Sequence, residues 1–310
     1  MDILDRLLRL AQVRGRLDVQ CAFRGGWSVR HEARRAQGLA HIVTEGEGWL
    51  HADGVAPQKL SAGDVVFFPR TAGHTLGSSA ACIRHDPPEI LRNGVFTLKR
   101  SGTAGAQTRL FCARFGYEER AALVSALPET MLLRVESAAL APLVALLQHE
   151  AAAPQYGASA VADALSQVLL VHLIRSWLAS GGSLPAGILK GWQDMRLRPV
   201  VQAVVERPEH GWTVEEMAKT ACLSRAQLMR LFQSRVGSSP YAFVQKNRLD
   251  KAAAMLRGSR DTVLSVALAC GFQSETHFGK VFKKQFGQTP KHYRTAPDDG
   301  LHGQDGGYGI

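Results

Sequence analysis

The pattern of apolar and polar positions divides the chain into stretches of different texture. Residues 2–12 place apolar side chains at helical spacing, which predicts a short amphipathic helix. From residue 17 to about 115, short alternating or apolar runs are separated by Gly, Pro and Ser clusters, which predicts an antiparallel β domain. After Pro128 the spacing becomes helical again, and the segments 137–151 and 159–179 are long and nearly uncharged.

These two apolar segments predict helices with more apolar surface than one β wall would cover. We therefore expect them to form an isologous dimer interface. The stretch 180–187 that follows is rich in Gly, Ser and Pro, which predicts a linker. The residues expected at the dimer interface are Leu143, Leu147, Leu169, Val171 and Ile174.

The C-terminal third contains an internal repeat. Five positions recur after 49 residues and, after one inserted residue, Gln273, six more recur after 50. Each copy predicts a helix that starts near Thr213 or Thr262, then a tight turn, then a second helix capped by Ser224 or Ser274. This order of elements is typical of a helix-turn-helix. The matched pairs are Val214/Val263, Met217/Val266, Ala218/Ala267, Ala221/Cys270, Leu223/Phe272, Ser224/Ser274, Leu228/Phe278, Arg230/Lys280, Phe232/Phe282, Gly237/Gly287 and Pro240/Pro290.

The distribution of charge along the chain indicates what kind of partner the repeat binds. The chain has a net charge of +10, and residues 191–296 hold 17 Lys and Arg against 8 Asp and Glu, a net of +9. The tail 297–310 holds three acids and no base, and we expect it to be disordered. A basic, helix-forming segment favours binding to a polyanion, here double-stranded DNA. The alternative is a tandem helical repeat for protein contacts, with its charges on a solvated face.

The second helix of each copy should turn its apolar side inward. The outer face is then base-rich and of a size that the major groove admits. The helix between the copies, roughly Pro240 to Leu256, would span about 25 Å at 1.5 Å per residue, which suits successive major grooves about 34 Å apart. The outward positions are Arg225, Ala226, Met229 and Arg230 in the first copy and Glu275, Thr276, His277, Lys280 and Lys284 in the second.

The run from Gly271 to Arg294 resembles the signature of the AraC-type transcription regulators, and the resemblance covers about 196–294. It implies a DNA-binding domain with two helix-turn-helix units. The first copy departs from the pattern at Cys222, where the second copy has a turn glycine. By motif position, the groove-facing residues would be Ala226, Met229 and Arg230, then Thr276, His277 and Lys280.

The run from Gly63 to His74 resembles the second cupin motif, and the run from His41 to Gly48 resembles a degenerate first motif. The resemblance implies a jelly-roll β barrel. An enzymatic cupin would hold an Fe(II)- or Mn(II)-like metal with two histidines and a glutamate from the first motif. Here that motif supplies only His41, so we do not expect catalysis. A metal-dependent cupin oxygenase with a basic accessory domain is the alternative function.

Three histidines and two cysteines are candidates for sensing: His31, His41, His74, Cys21 and Cys112. The histidines could bind Zn(II) or copper, bond to strand carbonyls, or line a pocket for a small molecule. A more distant resemblance to regulators that sense reactive chlorine implies that both cysteines occupy redox positions. The five cysteines include no CxxC motif, so reduced thiols are the default.

The sequence therefore predicts an α+β protein that combines a cupin sensor with an all-α reader. We expect a DNA-binding transcription regulator, an activator of efflux or stress genes, that responds to a small molecule, a metal or an oxidant. The expected partners are operator DNA, an inducer or oxidant, RNA polymerase and a second copy of the chain. The predicted segments are 1–125 (cupin sensor), 126–189 (helical dimerisation region and linker), 190–296 (double helix-turn-helix) and 297–310 (tail).

The location of the protein follows from what the sequence lacks. No run of 18 uninterrupted apolar residues occurs, and the first ten residues include two acids and two arginines. These features argue against a membrane span and a secretory leader. We therefore expect a cytoplasmic protein.

Overall fold

The computed structural model describes residues 3–33, 37–54, 56–93, 96–118, 120–134, 140–152 and 155–296. The chain forms two compact units, each assembled from separate stretches of sequence. The helical unit comprises Met1–Val13, Tyr117–Pro128 and Ser183–Asp298, and the β unit comprises Arg14–Gly116 and Glu129–Gly182.

The β unit is built from two sheets. The larger sheet has the strand order β11-β6-β3-β10-β1-β9-β8, and the smaller has the order β2-β7-β4-β5. The strands are β1 (Arg14–Arg24), β2 (Ser28–His31), β3 (Gln37–Glu45), β4 (Glu47–Ala52), β5 (Gln58–Ser61), β6 (Asp64–Phe68), β7 (His74–Gly77), β8 (Glu89–Asn93), β9 (Phe96–Ser101), β10 (Gln107–Gly116) and β11 (Met131–Arg134).

Strand direction differs from the expectation at one pair. The pairs that hold the sheets together are antiparallel, but β1 and β9 run parallel, with Cys21 beside Lys99. The alternation of apolar residues predicts a strand without predicting its direction, because both ladders share a side-chain period of two. The β domain is therefore mixed at this pair rather than purely antiparallel.

Two helices complete the β unit: α3 (Leu140–Ala152) and α4 (Ala158–Ala179). Helix α4 packs against β1 and α3, and a side chain at Gly15 would collide with Ser166 of α4. By length and mean hydropathy α4 could span a membrane, but its inner face is buried within this unit.

The residues expected at a dimer interface lie elsewhere. Leu143, Leu147, Leu169 and Ile174 are buried in the core of the β unit. The exposed apolar side chains on these helices are Leu146, Val161 and Val168. The expectation was wrong for these four residues, whereas the fifth, Val171, is half-buried. Helices that are apolar on several sides do not reveal which side faces the core.

The helical unit contains the predicted double helix-turn-helix. Helices α7 and α8 form the first motif, α9 connects the two, and α10 and α11 form the second. Its helices are α1 (Ile3–Leu10), α2 (Ala122–Ser125), α5 (Ile188–Gln193), α6 (Arg198–Glu206), α7 (Val214–Thr220), α8 (Arg225–Arg235), α9 (Pro240–Gly258), α10 (Val263–Ala269), α11 (Glu275–Phe286) and α12 (Pro290–Thr295).

Helices α1 and α2 belong to the helical unit although they flank the first strands of the β unit in sequence. Helix α1 contacts α6 and α9, and α2 contacts α5 and α9. This grouping differs from the contiguous segments expected from the sequence, which placed residues 1–125 in a sensor. The acidic tail 297–310, expected to be disordered, lies outside the described residues.

Candidate functional site

The recognition helix of the first motif, α8, begins at a reciprocal cap. The Ser224 hydroxyl accepts the Gln227 N–H, while the Gln227 side chain accepts the Ser224 N–H. Such a capping box satisfies backbone donors that the first turn of a helix leaves without partners. Leu228 and Phe232 are buried on the inner side of α8. The cap and the buried pair together hold the opposite side of the helix outward.

The four residues predicted for DNA contact on α8 are all exposed: Arg225, Ala226, Met229 and Arg230. Arg225 pairs with Glu215 of α7 at 2.9 Å, so part of its charge is used within the motif. Arg230 lines an open cleft of about 350 Å³.

The same cleft is lined by an arginine that was not among the DNA-contact residues predicted from the sequence. Arg196 lies in it together with Arg230 and Ser234. Asp194 accepts hydrogen bonds from the Arg196 Nε and Nη2 atoms at 3.1 and 2.9 Å. These hydrogen bonds lower the pKa of the Asp194 carboxyl. The only sequence signal for Arg196 was the basic charge of the whole domain.

The second recognition helix, α11, repeats this arrangement. The Ser274 hydroxyl accepts the His277 N–H, and Phe278 and Phe282 are buried. The predicted contact residues Thr276, His277, Lys280 and Lys284 are exposed on the other side.

The turn of each motif needs a left-handed backbone. Gly271 has φ +83°, and a Cβ there would meet the backbone of Glu209. Cys222 occupies the equivalent turn of the first motif with φ +52°, a region that few residues other than glycine adopt without strain.

The connecting helix α9 carries a buried acid. Asp250 accepts the Ala122 N–H at 3.2 Å, at the start of α2. Burial raises the pKa of the Asp250 carboxyl to about 6, and the nearby Lys246 opposes that rise. Two further bonds anchor the same segment: Tyr293 donates to the Glu118 carboxylate, and Lys246 donates to the Arg120 carbonyl. No local pattern in the sequence predicts these contacts.

The three predicted histidines come together inside the β unit. His31 lies on β2, His41 on β3 and His74 on β7, and all three are buried. Their potential ligand atoms all lie within 4.8 Å of one another. The strand registers explain the grouping, since His31 pairs directly with His74.

Hydrogen bonds define the role of each ring nitrogen. The His74 Nδ1 atom lies 2.8 Å from the Ala72 carbonyl, which only accepts, so Nδ1 carries the proton. The His74 Nε2 lone pair then faces the His41 Nε2 atom at 2.8 Å. Burial and the neighbouring His41 lower the pKa of His74 to about 3. His74 is therefore a neutral imidazole whose Nε2 lone pair faces His41 and can accept a hydrogen bond or bind a metal.

The His41 ring has a second partner. Its Nδ1 atom lies 3.1 Å from the Sγ atom of Cys112 on β10. Cys112 pairs across the sheet with His41 on one side and with Val19 of β1 on the other. Cys21 lies two residues beyond Val19 on the same face. The structure therefore brings both predicted cysteines to the histidine cluster.

The two thiols share one hydrogen bond. The hydrogen bond with Cys112 and burial raise the pKa of the Cys21 thiol. The same bond, helped by His41 and Lys99, lowers the pKa of the Cys112 thiol against the effect of burial. Of the two thiols, Cys112 therefore has the lower pKa.

A buried lysine completes this environment and was not predicted. Lys99 is 1% exposed, lies beside Cys21 across the parallel β1–β9 pair and lowers the pKa of both thiols. Lys is rarely this buried unless it has a partner. Within the strand Phe96–Ser101, the sequence offered no feature to separate Lys99 from an exposed lysine.

The histidine donor set fits Zn(II) or copper. Imidazole suits both metals. Two nitrogens that each lie about 2.0–2.1 Å from one tetrahedral Zn(II) ion are about 3.3 Å apart, so the His41 and His74 Nε2 atoms, which are 2.8 Å apart, would separate slightly to share the ion. Cys112 contacts the opposite side of the His41 ring. In this position Cys112 would hydrogen-bond to a metal-bound His41 and would not bind the metal itself.

The chain was compared with known proteins. Residues 2–179 match the family described as Cupin, and residues 217–296 match the family described as Helix-turn-helix domain. The chain is 47% identical over 296 residues to the HTH-type transcriptional regulator MtrA of Neisseria gonorrhoeae, which covers 95% of this chain and 98% of that protein.

Two further relatives match along nearly the whole chain. An uncharacterized HTH-type transcriptional regulator of Haemophilus influenzae is 37% identical, covering 95% of this chain and 98% of that protein. The RCS-specific HTH-type transcriptional activator RclR of Escherichia coli is 30% identical, covering 95% of this chain and 97% of that protein.

Proposed function

Because the chain belongs to the AraC-type transcription regulators with an N-terminal cupin domain, we propose that it binds one operator through α8 and α11. The observation that carries this proposal is the structural repeat. Each helix has a serine cap, two buried apolar residues and an exposed outer face that carries arginine or lysine. A pair of such helices on one connecting helix suits two successive major grooves.

The cupin domain of this chain belongs to a regulator rather than an enzyme. All three relatives described above are named transcriptional regulators. The alternative of a cupin oxygenase, which the degenerate first motif already disfavoured, is therefore set aside.

Within the proposed interface, the residues have different roles. Arg230 carries a planar guanidinium suited to bidentate bonds with a guanine edge. Arg196 lines the same cleft, but two hydrogen bonds to Asp194 use part of its charge within the domain. Lys280 and Lys284 supply point charges on α11. Ala226, Met229, Thr276 and His277 make the shorter contacts, while Arg225 is held by Glu215.

The β unit senses an oxidant through Cys21 and Cys112. A thiolate reacts faster than a thiol with such oxidants, and the pKa of the Cys112 thiol is lowered by its contacts with Cys21, His41 and Lys99. With hypochlorous acid, two thiols give one disulfide, one water and one HCl. The name of the Escherichia coli relative, an RCS-specific activator, supports this class of signal and an activating role.

The oxidised pair would deform the sheet. Cys21 and Cys112 are diagonal neighbours across β1 and β10, and diagonal positions lie farther apart than a disulfide normally spans. Closing the bond draws the two strands together. At one end of this strand pair lie Arg14 and Gly116. The chain enters β1 from α1 just before Arg14 and continues toward α2 after Gly116, and both helices belong to the helical unit.

The assembled regulator is a cytoplasmic homodimer that contacts RNA polymerase at the promoter. The exposed apolar residues Val161 and Val168 of α4 are one helical heptad apart, which favours helix pairing between two copies.

The test of DNA binding uses the full-length protein and selection from a random duplex pool. We expect one enriched sequence with two elements about one helical turn apart. Binding of that duplex should weaken steeply with salt, since six to eight neutralised phosphates would each contribute roughly −0.9 to the log–log slope. A pool without enrichment and a slope near zero would indicate a repeat that binds protein.

A further inference from the structure

His41 contacts both the histidine cluster and the cysteine pair. Its Nε2 atom faces His74 within the histidine cluster, and its Nδ1 atom faces the sulfur of Cys112. An imidazole ring transmits a change at one nitrogen to the other, because the tautomer set on one side determines whether the other side donates or accepts.

In the metal-free protein, the Nε2 atoms of His41 and His74 face each other at 2.8 Å. One of these two atoms must carry a proton to form the hydrogen bond. His74 cannot supply it, since its proton lies on Nδ1 and is donated to the Ala72 carbonyl. The Nε2 atom of His41 therefore carries the proton and donates it to His74.

A metal ion held by the histidines would take the place of that proton. The Nε2 atoms of His41 and His74 then both give their lone pairs to the metal. The metal displaces the Nε2 proton, and the neutral His41 ring then carries its single proton on Nδ1, where the group facing it at 3.1 Å is Cys112. In this state the Cys112 sulfur must accept a hydrogen bond.

A reduced sulfur fulfils this role and a disulfide sulfur does not. A thiolate is a strong acceptor for a ring N–H, whereas a sulfur bonded to Cys21 is uncharged and is drawn toward β1. Outer partners of metal-bound histidines commonly change metal affinity by about 10- to 100-fold.

We propose that His41 couples a metal ion at His31, His41 and His74 to the redox state of the Cys21–Cys112 pair, so that metal binding favours the reduced thiols and oxidation releases the metal. This inference rests on the proposed oxidant sensing. The coupling is reciprocal, because two ligands linked through one equilibrium affect each other equally. A tenfold preference of the metal for the reduced form raises the midpoint potential of the pair by about 30 mV.

The test measures the affinity of the full-length protein for Zn(II) by competition with a chromophoric chelator. One sample is kept reduced, and the other is oxidised with stoichiometric hypochlorous acid and then freed of reagent. We expect the oxidised protein to bind Zn(II) about 10- to 100-fold more weakly. His74→Ala identifies the site, because it should abolish the tight component in both samples. Equal affinity in the two forms, or no component that His74→Ala removes, overturns the proposal.

Variants at Cys112 separate the hydrogen bond from direct ligation by sulfur. Cys112→Ala removes the acceptor and should lose as much affinity as oxidation does. Cys112→Ser keeps an acceptor and should retain most of the affinity, while Cys82→Ser, at an exposed thiol of the same unit, should change nothing. If Cys112→Ser loses as much as Cys112→Ala and the Co(II)-loaded protein shows a sulfur-to-metal charge-transfer band, sulfur is a ligand and the proposal is wrong.

The Cys112 variants also keep this inference distinct from the proposed sensing. If mass spectrometry finds no disulfide between Cys21 and Cys112 after oxidation, the oxidant-sensing proposal fails. The reduced Cys112→Ala and Cys112→Ser proteins still decide whether His41 transmits between the sulfur and the metal.

Discussion

Asp250 accepts a hydrogen bond from the backbone N–H of Ala122, 128 residues earlier in the chain. The carboxyl is 3% exposed, so the anion gives up most of its hydration for one backbone donor and the partial influence of Lys246. A buried acid of this kind makes stability depend on pH.

The first prediction concerns this acid. The pKa of Asp250 is about 6 in the folded protein and near 3.9 in an unfolded chain. The folded state therefore binds the proton more tightly. Protonation of Asp250 therefore stabilises the folded protein. This contribution is fully present below about pH 4, and the free energy of unfolding falls by roughly 2 to 3 kcal/mol as pH rises through 6.

Asp250→Asn should remove this dependence and keep the oxygen that accepts the Ala122 N–H. Urea unfolding between pH 4.5 and 7.5 measures the difference between variant and wild type. A constant difference across this range would contradict the pKa assigned to Asp250.

The second prediction separates base reading from phosphate contact. Arg230→Ala should weaken binding of the selected duplex by about 1 to 3 kcal/mol and relax the preference at one base pair. Lys280→Ala should weaken all duplexes more evenly and reduce the salt slope by about 1. Fluorescence anisotropy at several salt concentrations measures both effects.

Arg84→Ala serves as the control, since Arg84 is an exposed cation of the β unit. If Arg230→Ala and Lys280→Ala bind as this control does, α8 and α11 are not the reading helices.

The third prediction concerns the thiols. Stoichiometric hypochlorous acid should join Cys21 to Cys112, as mapped by mass spectrometry, and should change operator binding or promoter output. Cys21→Ser should abolish both responses, because the remaining thiol has no partner on β1. Cys82→Ser should respond as the wild type does. A normal transcriptional response in Cys21→Ser would give precedence to a small molecule as the signal.

The fourth prediction addresses assembly. Val168 is 45% exposed on α4, and Val168→Asp should convert the dimer to a monomer because it places a charge in an apolar interface. The control is Gln167→Asp, which adds the same charge at the adjacent exposed position. Sedimentation velocity at micromolar concentration reports the result. A wild type that is already monomeric there would exclude the dimer.

The fifth prediction compares the two turns. Cys222→Gly should stabilise the helical unit by about 1 kcal/mol, because the left-handed conformation costs a residue with a Cβ about that much. Gly271→Ala should destabilise it by more, since the added Cβ also meets the Glu209 backbone. Thermal unfolding of the two variants should therefore shift in opposite directions. A shift in the same direction would show that the turns are not equivalent.

The sequence predicted best what local chemistry determines. The two motifs follow from residues that act within a few positions of themselves, such as the caps Ser224 and Ser274. The cluster of His31, His41 and His74 was also named from the sequence, where the resemblance to the two cupin motifs pointed to His41 and His74.

Contacts between distant segments could not be predicted in this way. Lys99 differs from an exposed lysine only through the parallel partner of its strand. Ala122 and Asp250 meet although nothing in either local pattern calls for the other. The face of α4 that points outward was assigned wrongly, because its apolar residues surround the helix. In each case the missing information was tertiary packing rather than propensity.

The separate stretches of the helical unit bear on how such regulators can be recombined. The unit is assembled from the stretches Met1–Val13, Tyr117–Pro128 and Ser183–Asp298, so a crossover at one position cannot exchange the sensor alone. A chimera joined near residue 190 would inherit α1 and α2 from one parent and their packing partners α6 and α9 from the other. A chimera with a new specificity would therefore need matched changes at Leu4, Leu7 and Ala122. Alternatively, α1 and α2 would have to come from the same parent as the double helix-turn-helix.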